Sequence, residues 1–205
     1  DTSPLKRVFS VGTIHKIVNW ENSKYIVYAS GKWMKTATPF ICARDPDTRL
    51  YNSQNLILEY LNKVGLGNDV IFKTSNTPGL NENIFYKENI QITDSIPFTT
   101  LLKDAKLVIL DAPGTTCLET CSTEVPLFVL TGRSPLYKHA TKLLRKRAVL
   151  ASNTNDLIKY IEEYLLYGTY PADIHNNEFF LGYGGTTNIN EVKKNALSAL
   201  QQVVS

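Results

Sequence analysis

Gly114-Thr115-Thr116, followed by an acid at Glu119, is the part of this chain best suited to chemistry. These residues sit within 106–133. There an apolar run ends at Asp111, Pro113 and Gly114 open a turn, and Pro126 introduces a second apolar run. That order reads as strand, loop, helix, strand. The first turn of a helix carries unpaired N–H groups and the positive end of the helix dipole. A turn of this composition is therefore a seat for phosphate. Glu119 lies four residues beyond Thr115, one turn in and on the same face. A carboxylate against a diphosphate would repel it, but one turn away it can accept hydrogen bonds from ribose hydroxyls. The same spacing also fits a capping box, with Thr116 capping the helix and Glu119 reaching back.

Other residues could join such a site. Ser30, Gly31, Lys32, Lys35 and Arg44 follow the first apolar strand, and lysines there could neutralise phosphate. Arg133 stands just past the strand after Pro126 and is a candidate sugar or phosphate contact. Solvated loop charge is the alternative for each. His15, His139 and His175 are scattered and lack metal-ligand spacing, so no metal is expected. No GxGxxG follows a strand and no GxxxxGK[ST] occurs, which disfavours standard dinucleotide and P-loop sites. The absence of GxSxG removes the usual α/β-hydrolase nucleophile.

The elements that must position these residues alternate in type. Strands are expected at Tyr25–Ala29, 69–73, 89–92, 106–110, Leu127–Leu130 and 148–151. Helices are expected at 52–64 (closed by Gly65), 97–103, 115–124, 135–146, 155–167 (stopped by Gly168) and 191–203. Residues 182–188 read as loop, with 182–185 flexible enough for a hinge and more simply a joint to the terminal helix within 188–205. This alternation implies an α/β fold, a Rossmann-like three-layer sandwich around a mostly parallel six-stranded sheet. Ligands of such sheets bind at the carboxyl ends of the strands. The helix after Arg133 also carries Lys138, Lys142, Arg145, Lys146 and Arg147, with Leu136, Leu143 and Leu144 expected on its buried side. That basic face suits a peripheral membrane or an anionic acceptor, or is simply solvated.

Bulk properties agree. The chain has 205 residues, enough for one α/β domain, with 43% hydrophobic and 20% charged residues. A net charge of +3 is far from a nucleic-acid footprint, so no nucleic-acid partner is expected. No apolar run approaches a transmembrane length and no secretory signal is evident. Cys42, Cys117 and Cys121 do not make a disulfide framework, which fits a cytoplasmic location. Cys117 and Cys121, four apart on one helix, read as core packing. The start at Asp1, without Met, suggests a piece of a longer protein.

Residues 97–168 resemble the carboxyl-terminal half of GT-B glycosyltransferases and their relatives. The resemblance lies in DSIPFTTLLK (94–103), in LVILDAPGTTCLET (107–120), in Pro126 at the next strand and in the late helix 155–167. It implies that 1–205 is a single Rossmann-like nucleotide-sugar-binding domain, a fragment of a two-domain GT-B protein. Such a domain binds the donor of an enzyme that transfers a sugar with loss of a nucleoside diphosphate. Gly114, Thr115, Thr116 and Lys32 would meet the donor phosphates and Glu119 the ribose. The acceptor site and catalytic base would lie on a missing amino-terminal Rossmann half, so no catalytic residue is assigned to this chain. The ligand would be a nucleoside diphosphate sugar, with no other cofactor and no metal. One departure from the family pattern is the lack of a Glu-x7-Glu pair, the nearest preceding carboxylate being Asp111. Nucleotide-sugar 2-epimerases and polyol-phosphate transferases share the half-fold. A non-enzymatic interaction or scaffold domain of the same fold is a further alternative.

Overall fold

The computed structural model describes residues 13–14, 23–31, 47–74, 89–132, 134–183, 185–186 and 188–204. A two-residue strand, β1 (Thr13–Ile14), precedes β2 (Tyr25–Ala29). Then follow α1 (Asp47–Lys63), β3 (Val70–Lys73), β4 (Gln91–Thr93) and α2 (Phe98–Leu101). After these come β5 (Ala105–Leu110), α3 (Thr115–Cys121), β6 (Leu127–Leu130) and α4 (Lys138–Arg147). The chain continues through β7 (Val149–Ala151), α5 (Thr154–Tyr167), α6 (Glu178–Gly182), β8 (Gly185–Thr186) and α7 (Ile189–Val204).

Six of these strands form one sheet in the order β4-β3-β2-β5-β6-β7, and every neighbouring pair is parallel. Numbered among themselves along the chain, they run 3-2-1-4-5-6, which is the Rossmann order. The fold is the expected three-layer α/β sandwich. Its strands are apolar on both faces because helices cover both. Ile26 and Tyr28 of β2 point to one side, where Ile57, Leu58 and Leu61 of α1 and Leu157 and Ile161 of α5 pack on them. Val27 and Ala29 point to the other, toward the residues of α2, α3, α4 and α6. The period-two alternation of side chains thus divides a continuous apolar run between two cores.

Helix ends follow local chemistry. The Asn153 side chain accepts from the Asp156 N–H at 2.9 Å and caps α5, whose other end is Gly168 at φ +66°. The helix expected to begin at residue 52 begins at Asp47, because Leu50 is buried as the first member of its apolar stripe. The helix expected over 135–146 runs Lys138–Arg147, and that over 115–124 ends at Cys121. Residues 182–188, read as loop, contain the end of α6 and the strand β8, which pairs with β1 in parallel (Thr13 with Gly185). The signal for α6 was Phe179 and Phe180, both buried.

Gly132, just after β6, packs against the loop after β7. A Cβ added there would lie 2.0 Å from the Ser152 carbonyl oxygen, on main chain that cannot swing aside. Thr131 holds the approach closed by donating its N–H and its hydroxyl to the Ala151 carbonyl at 2.8 and 3.0 Å. Gly132→Ala is expected to destabilise by about 1–3 kcal/mol, the usual cost of overpacking. A urea midpoint equal to that of the unsubstituted chain would contradict this close approach.

Candidate functional site

The sheet order reverses between β2 and β5. The connection from β2 leads to α1 on one face, and that from β5 leads to α3 on the other. A crevice opens between strands whose connections diverge in this way, at their carboxyl ends. Residues 30–31 leave β2 there, and residues 111–114 leave β5 beside them.

Asp111 ties the two together. Its side chain is fully buried. One carboxylate oxygen accepts from the Tyr28 hydroxyl of β2, and the other from the Gln54 amide of α1 at 2.5 Å and the Gly31 N–H at 3.0 Å. Asp111 is therefore a bracket that fixes the path of the chain out of β2 against the end of β5. The sequence marked it only as the end of a strand. Its partners were not legible, because they lie 57 to 83 residues away.

Past this bracket the chain turns outward. Gly114 and Thr115 are exposed and Thr116 is half-buried. Gly114 is the N-cap of α3, so no side chain caps the helix there, and a Cβ on it would meet nothing within 4 Å. The capping-box alternative, with Thr116 as cap, does not form, because the helix already begins at Thr115. The Thr116 carbonyl instead accepts from the Thr120 hydroxyl at 2.7 Å. Glu119 is half-buried one turn on, and burial raises its carboxyl above the ordinary range for a glutamate.

Two further groups stand at this edge. The Ser30 hydroxyl oxygen is buried without a hydrogen-bond partner. Lys73, the last residue of β3, accepts the Ser30 N–H on its carbonyl at 2.9 Å. Its Nζ donates to the Asp94 carbonyl past the end of β4. Burial lowers its pKa, and Asp94 partly offsets this. Lys73 went unmarked in the sequence, where its one signal was a lysine closing an apolar run. The expected contacts Lys32 and Arg133 lie outside the described residues, as do Lys35 and Arg44.

Among the described residues no three His, Cys, Asp or Glu side chains gather as a metal site. The triplet Asp45-Pro46-Asp47 has two carboxylates closely spaced, but Asp45 lies outside the described residues. Cys117 and Cys121 are buried free thiols, as expected for core packing. The hydrogen bond between them and burial push Cys117 up. Among the described residues no helix is long and apolar enough to cross a membrane.

No family model and no curated protein matches the sequence. Solved structures match the fold. MnaA of S. aureus, determined with UDP, aligns with a TM-score of 0.55 at 11% identity, over 89% of this chain and 46% of that one. The calicheamicin glycosyltransferase CalG4 aligns with a TM-score of 0.53 at 11% identity, over 92% and 45%. The UDP-GlcNAc 2-epimerase of Neisseria meningitidis, bound to UDP-GlcNAc, aligns with a TM-score of 0.50 at 14% identity, over 89% and 45%. The chain spans about half the length of each of these structures. Glycosyltransferases and epimerases stand at similar distance. The fold is one Rossmann-like domain of the kind that GT-B glycosyltransferases and UDP-GlcNAc 2-epimerases share.

Proposed function

We propose that this chain is the donor-binding half of a GT-B-type glycosyltransferase, and that it holds a nucleoside diphosphate sugar at the β2–β5 crevice. The observation that carries this reading is the open Gly114-Thr115-Thr116 turn at the reversal point of the sheet, with no side-chain cap over its N–H groups. Those N–H groups and the Thr115 and Thr116 hydroxyls would receive the diphosphate, with Lys32 and Arg133 as cationic contacts. Glu119 would accept from the ribose hydroxyls, and the unpaired Ser30 hydroxyl would add a phosphate donor. As the sugar–phosphate bond breaks, negative charge grows on the leaving diphosphate. Fixed main-chain donors and the end of the helix dipole stabilise that charge without reorganising. Transfer would require a second, amino-terminal Rossmann half carrying the acceptor site and base, as the half-length coverage suggests. An epimerase of the same architecture shares the donor-binding step, and the match to the UDP-GlcNAc 2-epimerase supports it as a second reading. Appearance of the C2 epimer of the sugar, with no acceptor glycosylated, would identify it.

The test is a thermal-shift panel of UDP, CDP and GDP on this chain. A ligand at one hundred times its Kd adds about 2.7 kcal/mol, which at this size raises the midpoint by roughly 5–10 °C. Glu119→Gln should remove most of that shift. It should also raise the midpoint of the unliganded chain at pH 7. A buried acid with a raised pKa binds its proton more tightly when folded, so stability is lost as pH rises through the folded pKa. Glutamine avoids that loss, and its advantage should vanish below about pH 4, where the unfolded glutamate is also protonated. No response to any nucleoside diphosphate at millimolar concentration would end the donor-binding reading.

A further inference from the structure

The outer face of α4 is more uniformly charged than any expectation of a merely solvated helix requires. Its ten residues, KHATKLLRKR, contain no acid. Ala140, Leu144 and Arg147 turn inward and are buried. Lys138, Lys142, Arg145 and Lys146 are exposed and follow one another at i, i+4, i+7 and i+8, hence on one face. Together with Leu136 and Thr141 they line an open groove of about 420 Å³. Lys146 is paired with Glu178 at 2.7 Å. Among the described residues, no carboxylate lies within 4.0 Å of Lys138, Lys142 or Arg145.

Three properties of this row select its partner. It is linear, spanning about 12 Å from Lys138 to Lys146 at the rise of a helix. It begins at the carboxyl edge of the sheet, because α4 follows β6, and it runs from there along the outer layer. It begins beside Tyr137, which is 90% exposed and offers an apolar ring face. From these features we infer that α4 is a docking surface for an anionic glycan, a sugar polymer bearing a negative charge on successive units. The inference rests on the sugar-transfer reading above: with the acceptor site on the other half, the row would hold a more distant stretch of a glycan acceptor or product. A bilayer fits less well, since Ala140 and Leu144 are committed to the core and Tyr137 alone could enter it. Single-stranded nucleic acid would need aromatic stacking platforms along the row, and α4 has none beyond Tyr137. A DNA duplex needs only phosphate contacts, so it is a comparator in the test.

The experiment measures binding of a short oligogalacturonate to the chain at low salt, with a neutral maltooligosaccharide, polyglutamate, a DNA duplex and phosphatidylglycerol vesicles as comparators. Selective binding of the oligogalacturonate is expected. Lys138→Glu/Lys142→Glu/Arg145→Glu should weaken it at least about tenfold, which is 1.4 kcal/mol, and added salt should weaken it as well. All three sites are exposed, so the variant should fold, and an unchanged UDP-induced thermal shift serves as the check. Tyr137→Ala should weaken the glycan and leave salt dependence unaltered. No binding, an unaffected triple variant, or equal binding of polyglutamate would overturn the inference, and so would tighter binding to the vesicles or to the duplex. A chain that responds to UDP but ignores the oligogalacturonate refutes the docking surface alone. One that binds the oligogalacturonate and responds to none of UDP, CDP and GDP refutes the donor site.

Discussion

Arg147→Met is expected to lower stability by about 2–4 kcal/mol, because buried carbonyls lose the donor that serves them, at about 1–3 kcal/mol for each group left unsatisfied. Arg147 was expected on the basic face of its helix, yet its side chain is 0% exposed. The reason lies at the far end of α3. One terminal nitrogen of its guanidinium donates to the Thr123 and Val125 carbonyls at 2.6 and 2.8 Å and reaches the Thr120 carbonyl at 3.5 Å. A cation is favoured there by the negative end of the helix dipole, and the planar fork sends one terminal nitrogen to the carbonyls and the other to the Tyr170 hydroxyl at 3.4 Å. Tyr170 completes the cluster. Its hydroxyl donates to the Arg147 carbonyl at 2.7 Å and accepts from the Leu127 N–H at 3.0 Å, and burial pushes its pKa up to about 12. Methionine would fill the space but take the guanidinium donor from the buried Thr123 and Val125 carbonyls, whereas the Thr120 carbonyl keeps the Thr123 hydroxyl and N–H. Lysine keeps the charge without the fork, so Arg147→Lys should also lose stability. Arg145→Met, two residues away and exposed, should stay within about 0.5 kcal/mol. Equal urea midpoints for the Arg145 and Arg147 variants would refute this account.

Asp111→Ala is expected to cost about 3–4 kcal/mol, because three donors converge on the lost carboxylate and each buried unsatisfied donor costs about 1–3 kcal/mol. Asp111→Asn should recover part of this, since one amide oxygen still accepts while the NH2 group faces donors. The functional consequence is separable. Asp111 holds Gly31, and so the exit from β2 beside the Gly114 turn. The Asn variant, assayed well below its own melting temperature, should bind nucleoside diphosphate more weakly than the unsubstituted chain. An Asn variant that is less stable but retains full affinity would reduce the bracket to a purely structural role.

The fold was legible because its signals are local. Runs such as Tyr25–Ala29 and Leu127–Leu130 are apolar throughout, and only a sheet covered on both faces needs that. Gly65 and Gly168 both take positive φ, as expected of residues that close helices. Pairing order and burial of charge were less legible. Nothing near Arg147 in the sequence distinguishes it from Arg145 and Lys146. Its fate is decided by the carbonyls of a helix more than twenty residues upstream. The Gly114-Thr115-Thr116 turn was recognisable from composition as the start of a helix, and α3 does begin there. Lys73 was not distinguishable from an ordinary strand-end residue, because the sheet order that sets β3 beside β2 is a property of distant pairing.

The 3-2-1-4-5-6 order has a consequence for biosynthesis. Ile26 to Ala29 are made about eighty residues before their inner neighbours, Leu107 to Leu110. Until those residues have been made, the central strand of the finished sheet has only Val70–Lys73 to pair with, and its other edge is bare. The later strands meet far shorter waits, as Val108 finds Leu127 and Phe128 finds Val149 within about twenty residues. An unpaired, wholly apolar edge invites association with other chains. Nascent chains stalled before residue 105 should therefore lean on chaperones, whereas those released after β7 should close rapidly.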